Sequence, residues 1–403
     1  MSFVDASTWP LLATLLVAVS ASYLVVAIAG VLAFSRQCRA APDAAAPIPI
    51  TVLKPICGRD AQLLDNLRSF CDQDYPTYQV VFGVHDEDDP AVPVIRQVIA
   101  EHRERDLVLV IDGRVIGANP KVSNLVNMIR EAKHDIIAIA DADIRIDRHY
   151  LKKLAMTFDD PEVGAATSLY AGCAAGGLPS KLGAMFVNDW FLPSALVSNA
   201  FQELTFCFGA TMAVRRETLR KIGGIQALAP YLADDYMLGQ LVSARGDKVR
   251  LIPALVENVI HEADMRSLFL HELRWARTMR SVQPVGYGMA FVTDAVPIAI
   301  LCGALLVAMT GSYAYPLAGL ALVTALRILL HSVVRSSLRL RQPGTPWLIP
   351  LRDCLTFYVR LASFLGQRVS WRGRDLSVTA RSRLEPETER STDEVAVSKP
   401  PVL

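Results

Sequence analysis

The chain has 403 residues, of which 52% are hydrophobic, with a mean hydropathy of +0.30 and a formal net charge of +1. The apolar share is high for a purely soluble enzyme and calls for segments buried in lipid, while the near-zero charge excludes an overall field that would recruit nucleic acid. The seven cysteines are scattered without a Cys-x-x-Cys pair, which leaves zinc and redox-motif readings unsupported and fits a reducing compartment.

Residues 11–34 are apolar and uncharged. At 1.5 Å per residue such a run crosses a hydrocarbon core of about 30 Å. A cleaved signal peptide would need a basic leader, but only Asp5 is charged before the run, so residues 1–35 are read as an uncleaved transmembrane anchor. Arg36 and Arg39 follow directly, which puts the next segment in the cytoplasm. Residues 36–49 form an Ala/Pro-rich linker. From residue 50 the texture becomes that of an α/β domain reaching to 282. Strands are predicted at 50–53, 79–84, 107–111 and 135–140, and helices at 60–70, 92–103 and 122–132. That alternation implies a mostly parallel, Rossmann-like sheet covered by helices on both faces. In such a sheet, ligands bind beyond the carboxyl ends of the strands.

The chain turns apolar again over 285–334, where runs at 295–309 and 313–326 predict two spans joined at Gly311-Ser312. Arg335, Arg339 and Arg341 then form a basic cluster expected on the cytoplasmic side. A further apolar stretch within 346–375 contains Arg352, Asp353 and Arg360 and has basic residues on both sides. It is read as a re-entrant or interfacial third C-terminal helix rather than a plain span. Residues 380–403 are polar and charge-mixed and are expected to be a disordered tail.

Several acidic and basic motifs follow the predicted strands. Asp141-Ala142-Asp143 closes the strand at 135–140, and two carboxylates there call for a counter-charge. A magnesium or manganese ion bridging to a diphosphate would supply it; a loop turn or helix N-cap fits the same residues. His85-Asp86-Glu87-Asp88-Asp89-Pro90 follows the strand at 79–84, either as an acceptor for a uracil N–H or as a solvated turn. Lys121 opens a helix and is either a phosphate counter-charge or a solvated lysine. Asp234 and Asp235 precede another helix, as a general base for an acceptor hydroxyl or as its N-cap. Arg274 and Trp275, with His271, sit on a helix beside the spans, where they fit either a diphosphate and acceptor site or a headgroup-level anchor. No His-Glu-x-x-His, Walker loop or Gly-x-Ser-x-Gly elbow is present in the sequence, which leaves protease, NTPase and hydrolase readings without motifs.

Taken in series, Thr51-Val-Leu-Lys-Pro55, Asp72-Gln-Asp-Tyr-Pro76, His85 to Pro90, Gly117 to Leu125, Asp141-Ala-Asp143, Asp234-Asp-Tyr236, Arg274-Trp275 and Ser370-Trp-Arg372 resemble the ceramide glucosyltransferase family. That family comprises inverting glycosyltransferases of the GT-A fold. Among its members the likeness is greatest to the bacterial hopanoid-associated glycosyltransferases. The resemblance implies a UDP-sugar donor, a membrane lipid acceptor, a magnesium or manganese cofactor, and a multi-pass protein of the bacterial inner membrane. It places Lys54, Asp86 and Asp89 around the uridine, Lys121 and Asn124 near the donor, and Asp141 and Asp143 at the metal and diphosphate. Asp235 would be the catalytic base with Asp234 beside it, and Arg274 and Trp275 would complete the diphosphate and acceptor side. His271 departs from the Gln or Arg usual at its position. The implied reaction moves N-acetylglucosamine to bacteriohopanetetrol; the alternative is transfer of glucose to ceramide. A processive polysaccharide synthase would be expected to have more spans and a Gln at 271, and a non-enzymatic scaffold would leave the motifs at the strand ends unexplained.

Overall fold

The computed structural model describes residues 8–39, 47–366, 368–371, 374–378 and 382–386. In chain order, α1 (Thr8–Arg39) is followed by β1 (Ile50–Pro55), α2 (Leu63–Cys71), β2 (Tyr78–Val84), α3 (Val92–Glu101), β3 (Asp106–Ile111), α4 (Pro120–Met128), β4 (Ile136–Ala140), β5 (Ile144–Arg145), α5 (Tyr150–Thr157) and β6 (Val163–Ala174). Next come α6 (Leu178–Phe186), α7 (Leu192–Phe201), β7 (Thr211–Arg215), α8 (Arg216–Lys221), α9 (Asp234–Ser243), β8 (Lys248–Ile260) and α10 (Met265–Val282). The chain continues through α11 (Pro284–Met289), α12 (Ala295–Thr310), α13 (Ala314–Ser337), α14 (Ile349–Ser363), β9 (Arg368–Trp371), β10 (Arg374–Val378) and β11 (Leu384–Pro386).

Eight strands form one sheet in the order β3-β2-β1-β4-β7-β6-β8-β5. The half built from β3, β2, β1 and β4 is parallel, as the sequence predicts. Beyond β4 the sheet is mixed: β7 runs antiparallel to β4 and β6, β6 and β8 are parallel, and the short β5 is antiparallel to β8. Strand side chains alternate between two cores because successive residues point to opposite faces. Ile50, Val52, Val80, Phe82, Ile136 and Ala138 pack with α2, α3 and α5. Leu53, Val81, Ile137 and Ile139 pack with α4, α8 and α9.

Among the described residues two helices, α1 and α13, are long and apolar enough to cross a membrane. The helical stretch Pro284–Thr293 and α12 meet at a bend of 69° and make up to one more span if taken together. α1, α7, α12 and α13 share a core that includes Leu24, Val31, Leu192, Ala299, Val323 and Leu330, while Leu15, Val25, Leu301, Leu305, Leu322 and Leu329 remain exposed on their outer sides, as lipid-facing residues would. α1 runs through Arg39, past the expected end of the anchor at 35, and residues 40–46 of the linker lie outside the described residues.

The three charges of α14 are all buried and paired. Arg352 makes two bonds of 2.7 Å to Glu272 on α10, Asp353 accepts from Arg327 on α13, and Arg360 binds Asp294 ahead of α12. With 15 residues, α14 is about 22 Å long, short of a full crossing. Buried ion pairs of this kind add little net stability, because desolvation offsets most of their attraction.

The expectation of a disordered tail over 380–403 needs correction at its start. Ser382 and Leu384 are buried, and Leu384–Pro386 forms β11, which pairs with β10. The local sequence is polar, but Ser382 meets backbone donors in the loop before α9, which composition does not reveal. Residues 387–403 lie outside the described residues.

Candidate active site

The carboxyl end of β4 leads straight into Asp141-Ala142-Asp143. Ala142 is buried, so the two acids flank an apolar anchor. Asp143 Oδ2 accepts from Asn258 Nδ2 at 2.9 Å, and its carbonyl accepts from Val259 N at 2.9 Å. Burial, then repulsion from Asp141 and Asp60, pushes the Asp143 carboxyl up to about 6. Asp141 is more open and accepts from Lys121 Nζ at 2.7 Å; the same ammonium lies 3.3 Å from Asp234 Oδ2. Burial opposes the charge on Lys121, but Asp141 and Asp234 outweigh it and hold the amine well above its ordinary range. Lys121 is placed by Asn119, whose Oδ1 caps α4 through the amides of Lys121 and Val122.

Asp234 and Asp235 open α9. Burial and the neighbouring Asp234 push Asp235 up to about 7, against the pull of Lys121. Asp234 is also raised, by burial first, with Lys121 opposing. Residue 209, beside Asp235, is glycine: a Cβ there would stand 2.8 Å from Asp235 Oδ2 and would require the carboxylate to shift. The Tyr170 hydroxyl on β6 is raised, first by desolvation and then by the charges of Asp235, Asp143 and Asp141.

Lys54 and Asp89 have partners the sequence does not disclose. Lys54 is fully buried, donates to the Asp141 carbonyl at 2.8 Å and lies 3.8 Å over the Phe70 ring; burial lowers its amine to about 7. Asp89 accepts from Gly58 N at 2.9 and 3.1 Å and from Ala91 N at 2.8 Å, so its carboxylate ties β1 to the loop after β2. Asp86 remains exposed at the end of β2. Asn124 is buried beneath the same strand end and donates to the Gly83 carbonyl at 2.8 Å.

On α10, His271 Nδ1 is 2.7 Å from Glu262 Oε1, and its ring meets Trp275 edge-on at 4.3 Å. Trp275 stacks near Phe186 at 5.9 Å, and Phe186 stacks on Trp190 at 5.0 Å. Trp190 lies in a π-helical turn, Val187–Phe191, between α6 and α7; such turns occur often at functional sites. These rings line the side of the domain next to the membrane helices. Arg274 sits one turn from Thr278, whose hydroxyl donates to its carbonyl.

Asp141, Asp143, Lys121, Asp234 and Asp235 are therefore brought together, with Lys54 behind them. Asp86 lies at a separate strand end, and His271 and Trp275 lie on α10 against Glu262 and Phe186. Gly209, Asn258, Glu262 and Ser382 are missed by sequence reasoning; the partners of Asn258 and Ser382 lie 115 and 149 residues away, and no motif marks Gly209 or Glu262. Among the described residues no group of three or more His, Cys, Asp and Glu side chains gathers as a ready-made metal cage. The Asp141–Asp143 pair still fits a hard divalent ion: both donors are carboxylate oxygens, Asp143 is raised by burial and by Asp141, and magnesium keeps most of its shell for water and phosphate.

The description "Glycosyl transferase family 21" matches residues 12–384. Ceramide glucosyltransferase 1 of Caenorhabditis elegans is 25% identical over 367 residues, covering 89% of this chain and 78% of that protein. Ceramide glucosyltransferase 3 of the same organism is 24% identical over 256 residues, 60% of this chain and 56% of that protein. The ceramide glucosyltransferase of Candida albicans is 30% identical over 122 residues, 27% of this chain and 22% of that protein. Among solved structures, the mannosyltransferase PcManGT from Pyrobaculum calidifontis in complex with GDP-Man and Mn2+ superposes with a TM-score of 0.49 at 19% identity, covering 86% of this chain and 99% of that one. Residues 1–349 of S. aureus TarS in complex with UDP-GlcNAc superpose with a TM-score of 0.41 at 15% identity, covering 83% and 98%. With a family match that spans nearly the whole chain, this protein belongs to glycosyl transferase family 21 and is a sugar-transferring enzyme.

Proposed function

We propose that the protein transfers a sugar from a UDP-sugar to a hydroxyl of a membrane lipid, with inversion at the anomeric carbon. The observation that carries this reading is the meeting of Asp141, Lys121, Asp234 and Asp235 at the carboxyl ends of the strands in a chain with membrane-length helices. Asp235 takes the proton of the acceptor hydroxyl as that oxygen attacks; a carboxyl held near 7 is suited to the task. Lys121 and Arg274 stabilise negative charge on the departing diphosphate. A magnesium or manganese ion held by Asp141 and Asp143 would supply Lewis-acid stabilisation of the leaving UDP. Asp86, exposed at the end of β2, receives the uracil N–H, while Asp89, Asn124 and Lys54 brace the donor site from behind. His271 and Trp275 face the acceptor side.

The acceptor comes from the bilayer, with α1 as anchor, further spans after α10, and the catalytic domain on the cytoplasmic side of a bacterial inner membrane. The motif resemblance favours N-acetylglucosamine and bacteriohopanetetrol. The names of the relatives favour glucose and ceramide as the second reading. Mass spectrometry of lipids from membranes incubated with UDP-N-acetylglucosamine or UDP-glucose, each with either acceptor, separates the two. A glycosylated lipid in one arm supports the proposal and names the pair; free sugar alone in every arm opposes lipid transfer.

A further inference from the structure

The helix that carries Asp234 and Asp235 begins without a cap of its own. Its N-cap residue is Ala233, which offers no side-chain acceptor, yet buried amides ahead of a helix need partners. The partner lies 149 residues further along the chain. The Ser382 carbonyl accepts from Leu232 N at 2.8 Å, and Ser382 Oγ accepts from Ala233 N at 2.6 Å. Leu384 N donates to the Pro230 carbonyl at 2.8 Å, and Arg383 forms an antiparallel bridge with Tyr231. Ser382 is fully buried and Leu384 is 5% exposed. Ser382 also holds φ at 63°, the left-handed region that a non-glycine residue keeps only where its surroundings over-determine it.

The same loop is gripped from its other side. Asn119 Nδ2 donates to the Tyr231 carbonyl at 2.8 Å, and Asn119 N donates to the Ala229 carbonyl at 3.1 Å. At its other end the C-terminal segment is tied to α10: Arg277 and Arg280 donate to the carbonyls of Leu365 and Gly366, each at 2.7 Å. α10 carries His271, Arg274 and Trp275. β9 and β10 lie between these ties and form one small sheet with β11, which follows Ser382, in the order β11-β10-β9.

We infer that the C-terminal segment is a positioning strap that joins α10 to the loop before α9, with Ser382 fixing where Asp235 stands relative to the acceptor side. This rests on the reading of Asp235 as base. Ser382 touches no substrate, so its effect falls on turnover, through the alignment of base and hydroxyl, and not on donor affinity. Small misplacements of a catalytic group have large kinetic effects.

The test uses the full chain in detergent with Ser382→Ala, Ser382→Gly and, as control, Asp235→Asn, measuring kcat, donor KM and hydrogen exchange at the amides of Leu232 and Ala233. Glycine keeps the left-handed backbone and loses the hydroxyl, so it reads the Oγ contact even if the alanine variant folds poorly. The expected result is a loss of about ten-fold or more in kcat with donor KM within about two-fold, and faster exchange at the Ala233 amide, which loses its Oγ acceptor, while the Leu232 amide keeps the carbonyl of residue 382. Wild-type kcat in Ser382→Gly, a rise in KM that accounts for the whole loss, or unchanged exchange overturns the strap. If Asp235→Asn is fully active, the base assignment fails instead; if it is inactive while Ser382→Gly turns over normally, only the strap fails.

Discussion

Lys121 Nζ stands 2.7 Å from Asp141 Oδ1, so a residue in the first turn of α4 neutralises the acid that follows β4. Because the same ammonium reaches Asp234 at 3.3 Å, one cation links Asp141 to the acid pair on α9. Lys121→Met removes that link and leaves the buried Asp234 without its counter-charge. Transfer should fall about 100-fold, in line with the loss of one group that stabilises developing charge. Stability should fall by about 1–2 kcal/mol, since the half-open Asp141 recovers some solvation. Steady-state rates and thermal melts of the purified variant check both.

The pH profile follows from Asp235. Held up to about 7 by burial and then by Asp234, it is protonated and idle as a base below that pH. Turnover should therefore rise as pH increases through about 7 and level off above it. Asp234→Asn removes the second cause and should move the rising limb to lower pH, whatever its effect on the plateau. A kcat–pH series on both proteins tests the sign.

Metal binding should be pH-dependent in the same direction. Asp143 is raised to about 6 by burial, Asp141 and Asp60, so protons compete with a cation below that value. Both Asp143 and Asp235 have folded-state values above those of the unfolded chain. The metal-free protein thus loses stability as pH rises from the ordinary carboxylate range through about 6 to 7. A bound cation offsets that loss. Magnesium or manganese at about 100 times its dissociation constant should add roughly 2.7 kcal/mol at pH 7.5 and much less at pH 5.5. Asp143→Asn should abolish the difference in thermal midpoint, and EDTA should remove activity that either ion restores.

The pair Arg352–Glu272 locks α14 to α10 through two 2.7 Å bonds between fully buried groups. Glu272→Gln leaves the guanidinium without its counter-charge and should cost about 3–5 kcal/mol. Replacing both residues with methionine should recover most of that loss, because two apolar chains bury without an orphaned charge. Melting curves of the single and double variants in one detergent decide it.

The parallel half of the sheet was readable because β1, β2, β3 and β4 are short apolar runs bounded by turn residues, with acids directly after β2 and β4. The other half was not. β6 and β8 are 12 and 13 residues long, but β6 is built largely of Ala, Gly and Ser, which carry little strand signal. Their small size is a packing requirement: a Cβ on Gly172 would stand 2.7 Å from the Ala184 Cα on α6. The acids of the site were legible as motifs, whereas their partners were not. Asn258 reaches Asp143 from 115 residues away and Ser382 reaches Ala233 from 149, pairings that only the tertiary fold creates. Lys54 and Asp89 belong to the same lesson. Their charges suggested ligand contacts, and the structure joins them to backbone groups of the site's own loops.

The central claim is that Asp235 is the base for transfer of a sugar to a lipid hydroxyl. The most direct measurement compares wild type with Asp235→Asn in one vesicle preparation, following glycolipid formation by mass spectrometry and UDP binding by calorimetry. The variant is expected to bind UDP within about two-fold of wild type and to lose transfer by about 1,000-fold or more, near the upper range for removing a proton acceptor. Glycolipid formation at the wild-type rate by Asp235→Asn would contradict the account.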